Sequence, residues 1–368
     1  RSGGDEFLVL LSDIELVPPV PGGADGASVA SESVAARVQQ ALAAPFESHG
    51  TELFITATLG VAVFPVDGDT PAAIIKNADA AMQRAKRNGP GGFLMHATAE
   101  ADALTKLSLS TRLRKAVQDE AWMLHYQPLI DLESAEMVGV EALIRWPDAA
   151  GGLVPPNDFI PLAEEMGLID AIGDWVVEEV CRQEATWRAG GLEMDIAFNL
   201  SPRQLWHPDL VDKIMAPLLE AGMDPSKVTV EITESTAMHD PDRTLGVLQD
   251  MHSRGLRLAI DDFGTGYSSL SRLRHMPVDV LKIDRSFVRN VDQDRDAASM
   301  VSAMIALASN LGMTALAEGI ETAEEWDFLR DRGCQLGQGF YFARPMTGVD
   351  ILALHRRSNL RVISGDAS

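Results

Sequence analysis

The sequence has only two cysteines, Cys181 and Cys334, among 368 residues. They are too few for a disulfide framework and lack metal-ligand spacing, so a reducing cytoplasm is the expected compartment. Basic side chains are scarce as well: 31 lysines and arginines stand against 54 aspartates and glutamates, a formal net charge of −23. Phosphate-tracking proteins need a basic face, so nucleic-acid polymers are excluded as partners, as is docking on an anionic membrane surface. Long apolar runs are missing too. Ala297–Ala317 carries no formal charge and has the length of a membrane span. Yet Ser299, Ser302, Ser309, Asn310 and Thr314 interrupt it, and Gly312 is a natural helix stop. The pattern predicts a helix over about Ala297–Leu311 and then a buried strand, Met313–Ala317. No signal peptide precedes the first motif, and a membrane tether of a full-length protein would lie in a region upstream of this chain.

What is present is ordinary globular material, 46% hydrophobic and 23% charged, which argues against disorder. At roughly 100–200 residues per domain the length predicts two or more domains. A turn-rich loop (Pro18, Pro19, Pro21, Gly22, Gly23, Gly26) lies in the first section, and Ala97–Leu107 reads as a polar, alanine-rich linker leading to a helix over Ser108–Glu120. Beyond it, short apolar runs recur, most ending in a polar or charged group. They are Met123–Ile130, Met137–Leu143, Asp195–Leu200, Val228–Thr233, Leu256–Ile260, Val280–Ile283, Met313–Ala317 and a last run around Gln338–Phe342. Helical patterns fill most gaps, clearest over Asp170–Ala189, Pro208–Glu220, Pro241–Arg254 and Thr322–Asp331.

Eight strands alternating with helices predict an α/β fold of the (β/α)8 TIM type, typically ~250 residues. The turn Asp131–Glu136 is too short for a crossover helix, so the first two strands should pair antiparallel and make the barrel irregular at its start. A doubly wound open sheet is the alternative.

Catalytic groups in such barrels stand at the carboxyl ends of the strands. Glu141, Asn199, Glu231, Asp261 and Asp262 fall there and all offer oxygen. Hard oxygen donors without clustered histidine or cysteine suit Mg²⁺ or Mn²⁺ rather than zinc. Adjacent Asp261 and Asp262 allow one carboxylate to bridge two cations, the geometry of two-metal phosphoester hydrolysis. Lys282 could orient or help deprotonate the water, and Glu318 could complete the second site or act as a base. Any single strand-end carboxylate is an ordinary cap or ion-pair partner; several in register at successive strands are not. The glycines of the Asp261–Leu270 loop suit close approach to a ligand. Its Asp-Phe-Gly triplet lacks the companion motifs of a protein kinase, and that reading is rejected.

These residues together resemble the EAL family of cyclic di-GMP phosphodiesterases. The resemblance runs from about Ser108 to Met346 through Tyr126-Gln127-Pro128, Glu141-Ala142-Leu143-Ile144-Arg145-Trp146, the Phe159–Glu165 stretch, Asn199-Leu200-Ser201-Pro202, Glu231-Ile232-Thr233-Glu234, the Asp261–Leu270 loop, Lys282-Ile283-Asp284, Ala317–Glu321 and Gln338-Gly339-Phe340. It implies hydrolysis of this bacterial second messenger to linear pGpG with two divalent cations. Glu141, Asn199, Glu231 and Asp261 would hold the first; Asp261 and Asp262 would hold the second, with Glu318 nearby. Lys282 would serve the attacking water. Arg145 would meet a substrate phosphate, and Gln127, Asp284 and Gln338 match further substrate-site positions. Glu234 and Glu321 match positions that support the Asp261–Leu270 loop, which in this family also lies near a dimer contact, so a homodimer through the barrel is expected.

Arg1-Ser2-Gly3-Gly4-Asp5-Glu6-Phe7 and the later pattern from Ala78-Asp79-Ala80-Ala81-Met82 to Ala85-Lys86 resemble the later part of a GGDEF diguanylate cyclase domain. Gly3 and Gly4 would form a hairpin turn against phosphate or ribose, with Asp5 a metal ligand and Glu6 the next residue of the motif. Upstream family elements are absent from the sequence, Gln83 replaces a usual tyrosine, and Pro90 stands where a phosphate-binding arginine is common. Proline cannot make the bidentate phosphate contact of a guanidinium, so GTP turnover by this section is not expected. The division is then residues 1–97 as a partial GGDEF domain, 98–120 as linker and helix, and 121–368 as the phosphodiesterase barrel. A catalytically silent cyclic di-GMP receptor, and a bifunctional enzyme in the full-length protein, are the competing readings.

Overall fold

The computed structural model describes residues 7–11, 34–41, 46–48, 51–53, 56–65, 67–87, 93–148, 151–265 and 270–356. Gly3, Gly4, Asp5, Glu6 and Pro90 lie outside them, as do Gly266 to Ser269 of the glycine loop. The chain divides into two compact units, Arg1–Thr111 and Arg112–Ser368.

In the first unit a helix, Pro71–Arg87, packs on the parallel strand pair Leu59–Val61 and Phe93–Met95. Two alanines of the sequence pattern, Ala81 and Ala85, are buried. The strand meets the helix at Gly60, where a Cβ would land on the backbone of Ala78 and Met82. Ala97–Leu107, expected as a linker, is instead helical, part of one helix over His96–Gln118. Its alanines and lone lysine favour helix over coil, and no glycine or proline breaks the run.

The second unit is a closed eight-stranded barrel. Its strands are β1 (Met123–Asp131), β2 (Met137–Pro147), β3 (Asp195–Asn199), β4 (Val228–Thr233), β5 (Arg257–Phe263), β6 (Val280–Ile283), β7 (Thr314–Ala317) and β8 (Leu336–Gly337). Pairing runs β2, β3, β4, β5, β6, β7, β8, β1 and back to β2, so no edge remains. Only β1 runs against its neighbours, antiparallel to both β2 and β8; the remaining barrel pairs are parallel. The irregular barrel therefore stands, and the open sheet does not.

Two differences from the sequence pattern have physical reasons. The eighth strand is Leu336–Gly337 rather than Gln338–Phe342, which forms turns. Gly339 sits so close to Ile320 that a Cβ would meet its backbone, and Tyr341 N–H donates to Ile320 O at 3.0 Å. Those contacts bend the chain away before the apolar run ends. The second difference is a helix over Pro156–Met166, which the pattern hides because Pro161 lies inside it. Buried Phe159, stacked on Trp122 and edge-on to Trp146, supplies tertiary support that outweighs the proline. Gly339→Ala is expected to lower stability by about 1–3 kcal/mol, the usual range for overpacking, which thermal unfolding would detect.

The uncharged stretch resolves as expected: a helix over Arg295–Asn310, capped by Asp294, a turn at Gly312 with φ +75°, and then β7. Among the described residues, no helix is long and apolar enough to cross a membrane.

Candidate active site

A strand repeats every two residues, and this sorts the barrel interior into layers. Leu129, Ala259, Val280 and Leu316 form one buried apolar layer with Leu336 packed against it. Two residues on come Asp261 in β5, Lys282 in β6, and Glu318 and Gln338 immediately after β7 and β8. On antiparallel β1 the corresponding step leads back to Gln127, whose Cα pairs with Glu141 of β2. Asn199 of β3 pairs with Glu231 of β4. The apolar floor is thus followed by a polar layer at the carboxyl end.

Lys282 is the centre of that layer and is fully buried. Its Nζ lies 2.5 Å from Glu231 Oε2, 2.8 Å from Glu318 Oε1, 3.2 Å from Asp261 Oδ1 and 3.6 Å from Glu141 Oε2. Asn199 Nδ2 donates to Glu141 Oε1 at 2.7 Å, and Gln338 Nε2 donates to Glu141 Oε2 at 2.8 Å and Glu318 Oε1 at 3.0 Å. Gln338 is itself buried, and its Oε1 has no hydrogen-bond partner among the described residues.

One ammonium among four carboxylates leaves excess negative charge in a region shielded from water, and the titration of the groups reflects this. Burial pushes Glu318 up to about 7, against the pull of Lys282. Burial, reinforced by Glu141, pushes Glu231 well above the carboxylate range. Burial alone would raise Glu141 too, but Lys282 and the bonds from Gln338 and Asn199 hold it down. For Lys282 burial would lower the pKa; the surrounding carboxylates outweigh it and keep the group an ammonium. Such a cluster is costly to bury without more positive charge.

In a regular strand Asp261 and Asp262 would face opposite sides. Here β5 breaks register between Ile260 and Phe263, and Asp262 takes the left-handed conformation at φ +54°. The Asp262 N–H donates to Asp261 Oδ1 at 2.9 Å. Gly264, at φ +99°, donates its N–H to buried Glu234 Oε2 at 2.8 Å, which braces the turn. Consequently one oxygen each from Asp261, Asp262 and Glu318 come within 4.8 Å of one another. Burial, with Asp261 and Asp284 nearby, raises the Asp262 carboxyl.

The remaining expected residues stand less centrally. Half-buried Arg145 donates Nη1 to its neighbour's Ile144 O at 2.9 Å. Asp284 caps the short helix Arg285–Val288 by accepting from Ser286 N at 2.9 Å. Glu321 is exposed, and its backbone N–H donates to Glu325. The sequence pattern assigns no role to the groups behind Asn199. Ser201 Oγ lies 2.6 Å from Glu164 Oε1, and Ser201 N donates to buried Gln204 Oε1 at 3.1 Å, fixing the turn that follows β3. Glu325 likewise escapes the motif reading, although the Thr322–Glu325 spacing of a capping box is legible.

Comparison with known proteins bears on the fold and the family. The EAL domain family matches residues 110–345, and the diguanylate cyclase GGDEF domain family matches residues 1–91. Over 355 residues the chain is 42% identical to the bifunctional diguanylate cyclase/cyclic di-GMP phosphodiesterase MucR of Pseudomonas aeruginosa, covering 96% of this chain and 50% of that protein. It is 38% identical over 359 residues to the cyclic di-GMP phosphodiesterase PdeR of Escherichia coli, covering 97% of this chain and 52% of that one. The chain thus spans about half the length of these curated relatives. The solved PaMucR phosphodiesterase in complex with c-di-GMP superposes with a TM-score of 0.64 at 44% identity, over 66% of this chain and 99% of that one. The barrel, its antiparallel first strand and these matches place the chain in the EAL domain family, with a GGDEF segment ahead of the barrel.

Proposed function

We propose that this chain hydrolyses cyclic di-GMP to linear pGpG, using two divalent cations, Mg²⁺ or Mn²⁺, at the carboxyl mouth of the barrel. The observation that carries this reading is the ring of buried Glu141, Glu231 and Asp261 and half-buried Glu318 around buried Lys282, with Asp262 turned in beside it. The donor set fits such cations: the groups are hard oxygens, negative charge is in excess, and Gln338 Oε1 is an acceptor with no partner among the described residues. The names of MucR and PdeR, and the c-di-GMP bound to PaMucR, support the substrate.

Glu141, Asn199, Glu231 and Asp261 would hold one cation, Asn199 presenting Oδ1 after its amide turns over. Asp261, Asp262 and Glu318 would hold the other. When bound, two such cations supply the charge that acidifies water and neutralises the departing oxygen. Water forms the new P–O bond and the P–O3′ bond breaks, leaving a 5′-phosphate and a free 3′-hydroxyl. Lys282, an ammonium that donates hydrogen bonds here, suits orienting that water and offsetting charge rather than removing its proton. Glu318, whose Oε1 lies 2.8 Å from Lys282 Nζ, would take the proton only where it does not hold the second cation. Arg145, four residues beyond Glu141 on β2, would meet a phosphate, and Gln127, Gln338 and Asp284 would complete the substrate site. Glu234 and Glu321 would support the Asp261–Leu270 loop. The reading includes a homodimer through the barrel and a cytoplasmic location.

The decisive experiment incubates the protein with cyclic di-GMP and either cation, then resolves the nucleotides chromatographically. pGpG is expected; binding without product would replace this reading with that of a silent receptor. Unfolding should also respond to the cation. At a hundredfold excess over Kd, Mn²⁺ should add about 2.7 kcal/mol, a rise in Tm of roughly 5–10 °C. An unchanged Tm would count against the metal site.

A further inference from the structure

Glu325 sits on the helix Ala323–Asp331 that follows β7, and it is buried. An ordinary capping box would use it only to accept from the backbone of Thr322, while Thr322 Oγ1 accepts from Glu325 N. Both bonds are present, at 3.2 Å each. The carboxylate does more. Oε2 also accepts from Glu321 N at 2.8 Å, and Oε1 accepts from Asn290 N at 2.9 Å, on a different loop. Asn290 stands in the left-handed conformation, φ +56°, and follows the short helix that begins beside Asp284.

The two loops so joined follow β6, which carries Lys282, and β7, which Glu318 directly succeeds. They also touch directly: at Gly319, with φ +73°, a Cβ would run into the Arg285 side chain. Glu318 N–H donates to Ile283 O at 3.1 Å, and Ile320 N–H donates to Gln338 O at 3.1 Å. Glu318 therefore lies on a short loop whose far end is fastened by one carboxylate. We infer that Glu325 is a positioning residue, which clamps the loops after β6 and β7 together and thereby sets Glu318 against Lys282 and Gln338. Its kinetic consequence rests on the phosphodiesterase reading above; its structural consequence does not.

The test compares Glu325→Gln with Thr322→Ala in the full chain. The side-chain amide of Glu325→Gln would keep one acceptor oxygen but turn an NH₂ toward a backbone N–H, opening the clamp. Removing the Thr322 hydroxyl takes away the cap and leaves the clamp. For Glu325→Gln, kcat for cyclic di-GMP should fall roughly ten- to a hundredfold, the scale of a misplaced reactive group. KM should stay within about twofold. The amides of Asn290 and Glu321 should become fast in hydrogen exchange. Thr322→Ala should lower Tm while kcat stays within about twofold. Equal losses of kcat in both variants, or an unchanged kcat in Glu325→Gln, would reduce Glu325 to a helix cap and overturn the inference. Should Glu325→Gln not fold, the unmodified chain decides: slow, matched exchange at Asn290 and Glu321 is expected, and exchange at exposed-loop rates overturns the clamp. An unmodified chain that makes no pGpG would refute the phosphodiesterase reading, while exchange would still judge the clamp.

Discussion

Lys282→Met is expected to slow cyclic di-GMP hydrolysis by roughly a thousandfold, within the range of a lost acid–base or electrostatic group. The same change should destabilise the cation-free protein more than any other single substitution at the site. Lys282 Nζ lies within 4.0 Å of oxygens from Glu141, Glu231, Asp261 and Glu318, all closing on one buried point. Removing one partner of a buried ionic cluster typically costs about 3–5 kcal/mol, because the charges left behind are uncompensated. For a unit of this size that is a fall in Tm of roughly 6–20 °C. Mn²⁺ should restore much of the lost stability, since a dication neutralises the same carboxylates, but it should not restore hydrolysis, which needs a donor at the position of Nζ. Thermal unfolding with and without Mn²⁺, beside nucleotide chromatography, checks both halves. Hydrolysis within tenfold of the unmodified rate would remove Lys282 from the reaction.

Glu141→Ala should nearly abolish turnover as well, but with the opposite signature in stability. Glu141 accepts from Asn199 and Gln338 and lies near Lys282. Its loss frees two amide donors, yet it also relieves a crowded anionic site, so the cation-free Tm should change far less than in Lys282→Met. The rise in Tm on adding Mg²⁺ or Mn²⁺ should shrink, because one of the few buried oxygen donors is gone. Persistent hydrolysis with either cation present would sink the assignment of Glu141 as a ligand.

The two variants separate what a count of acidic residues cannot. An isolated lysine among apolar residues of β6 gives no sign that four carboxylates surround it, because they come from strands far apart in the chain. Glu141, expected at a strand end, lies inside β2, which runs on to Pro147; the alternation of β2, β4 and β6 still places Glu231 and Lys282 on the inner face with it. The same alternation misplaces Asp262, which should face outward. A register break and a left-handed residue bring it into the mouth, and nothing in two adjacent aspartates announces that conformation. The apolar run makes Gln338 the start of a strand; it lies just beyond one, since β8 ends where Gly339 presses against Ile320.

The alternation of strands and helices, the antiparallel start at the short Asp131–Glu136 turn, and the acidic groups set along the strands are legible in the order of residues. These are local properties: a period of two, a loop length, the cost of burying charge. Only in the folded barrel does Lys282 become the shared counter-charge, Asp262 turn inward through a left-handed residue, and Glu325 fasten two loops. Those outcomes depend on distances between strands that no local pattern encodes, and on low-dielectric burial, which exists only once the barrel has closed.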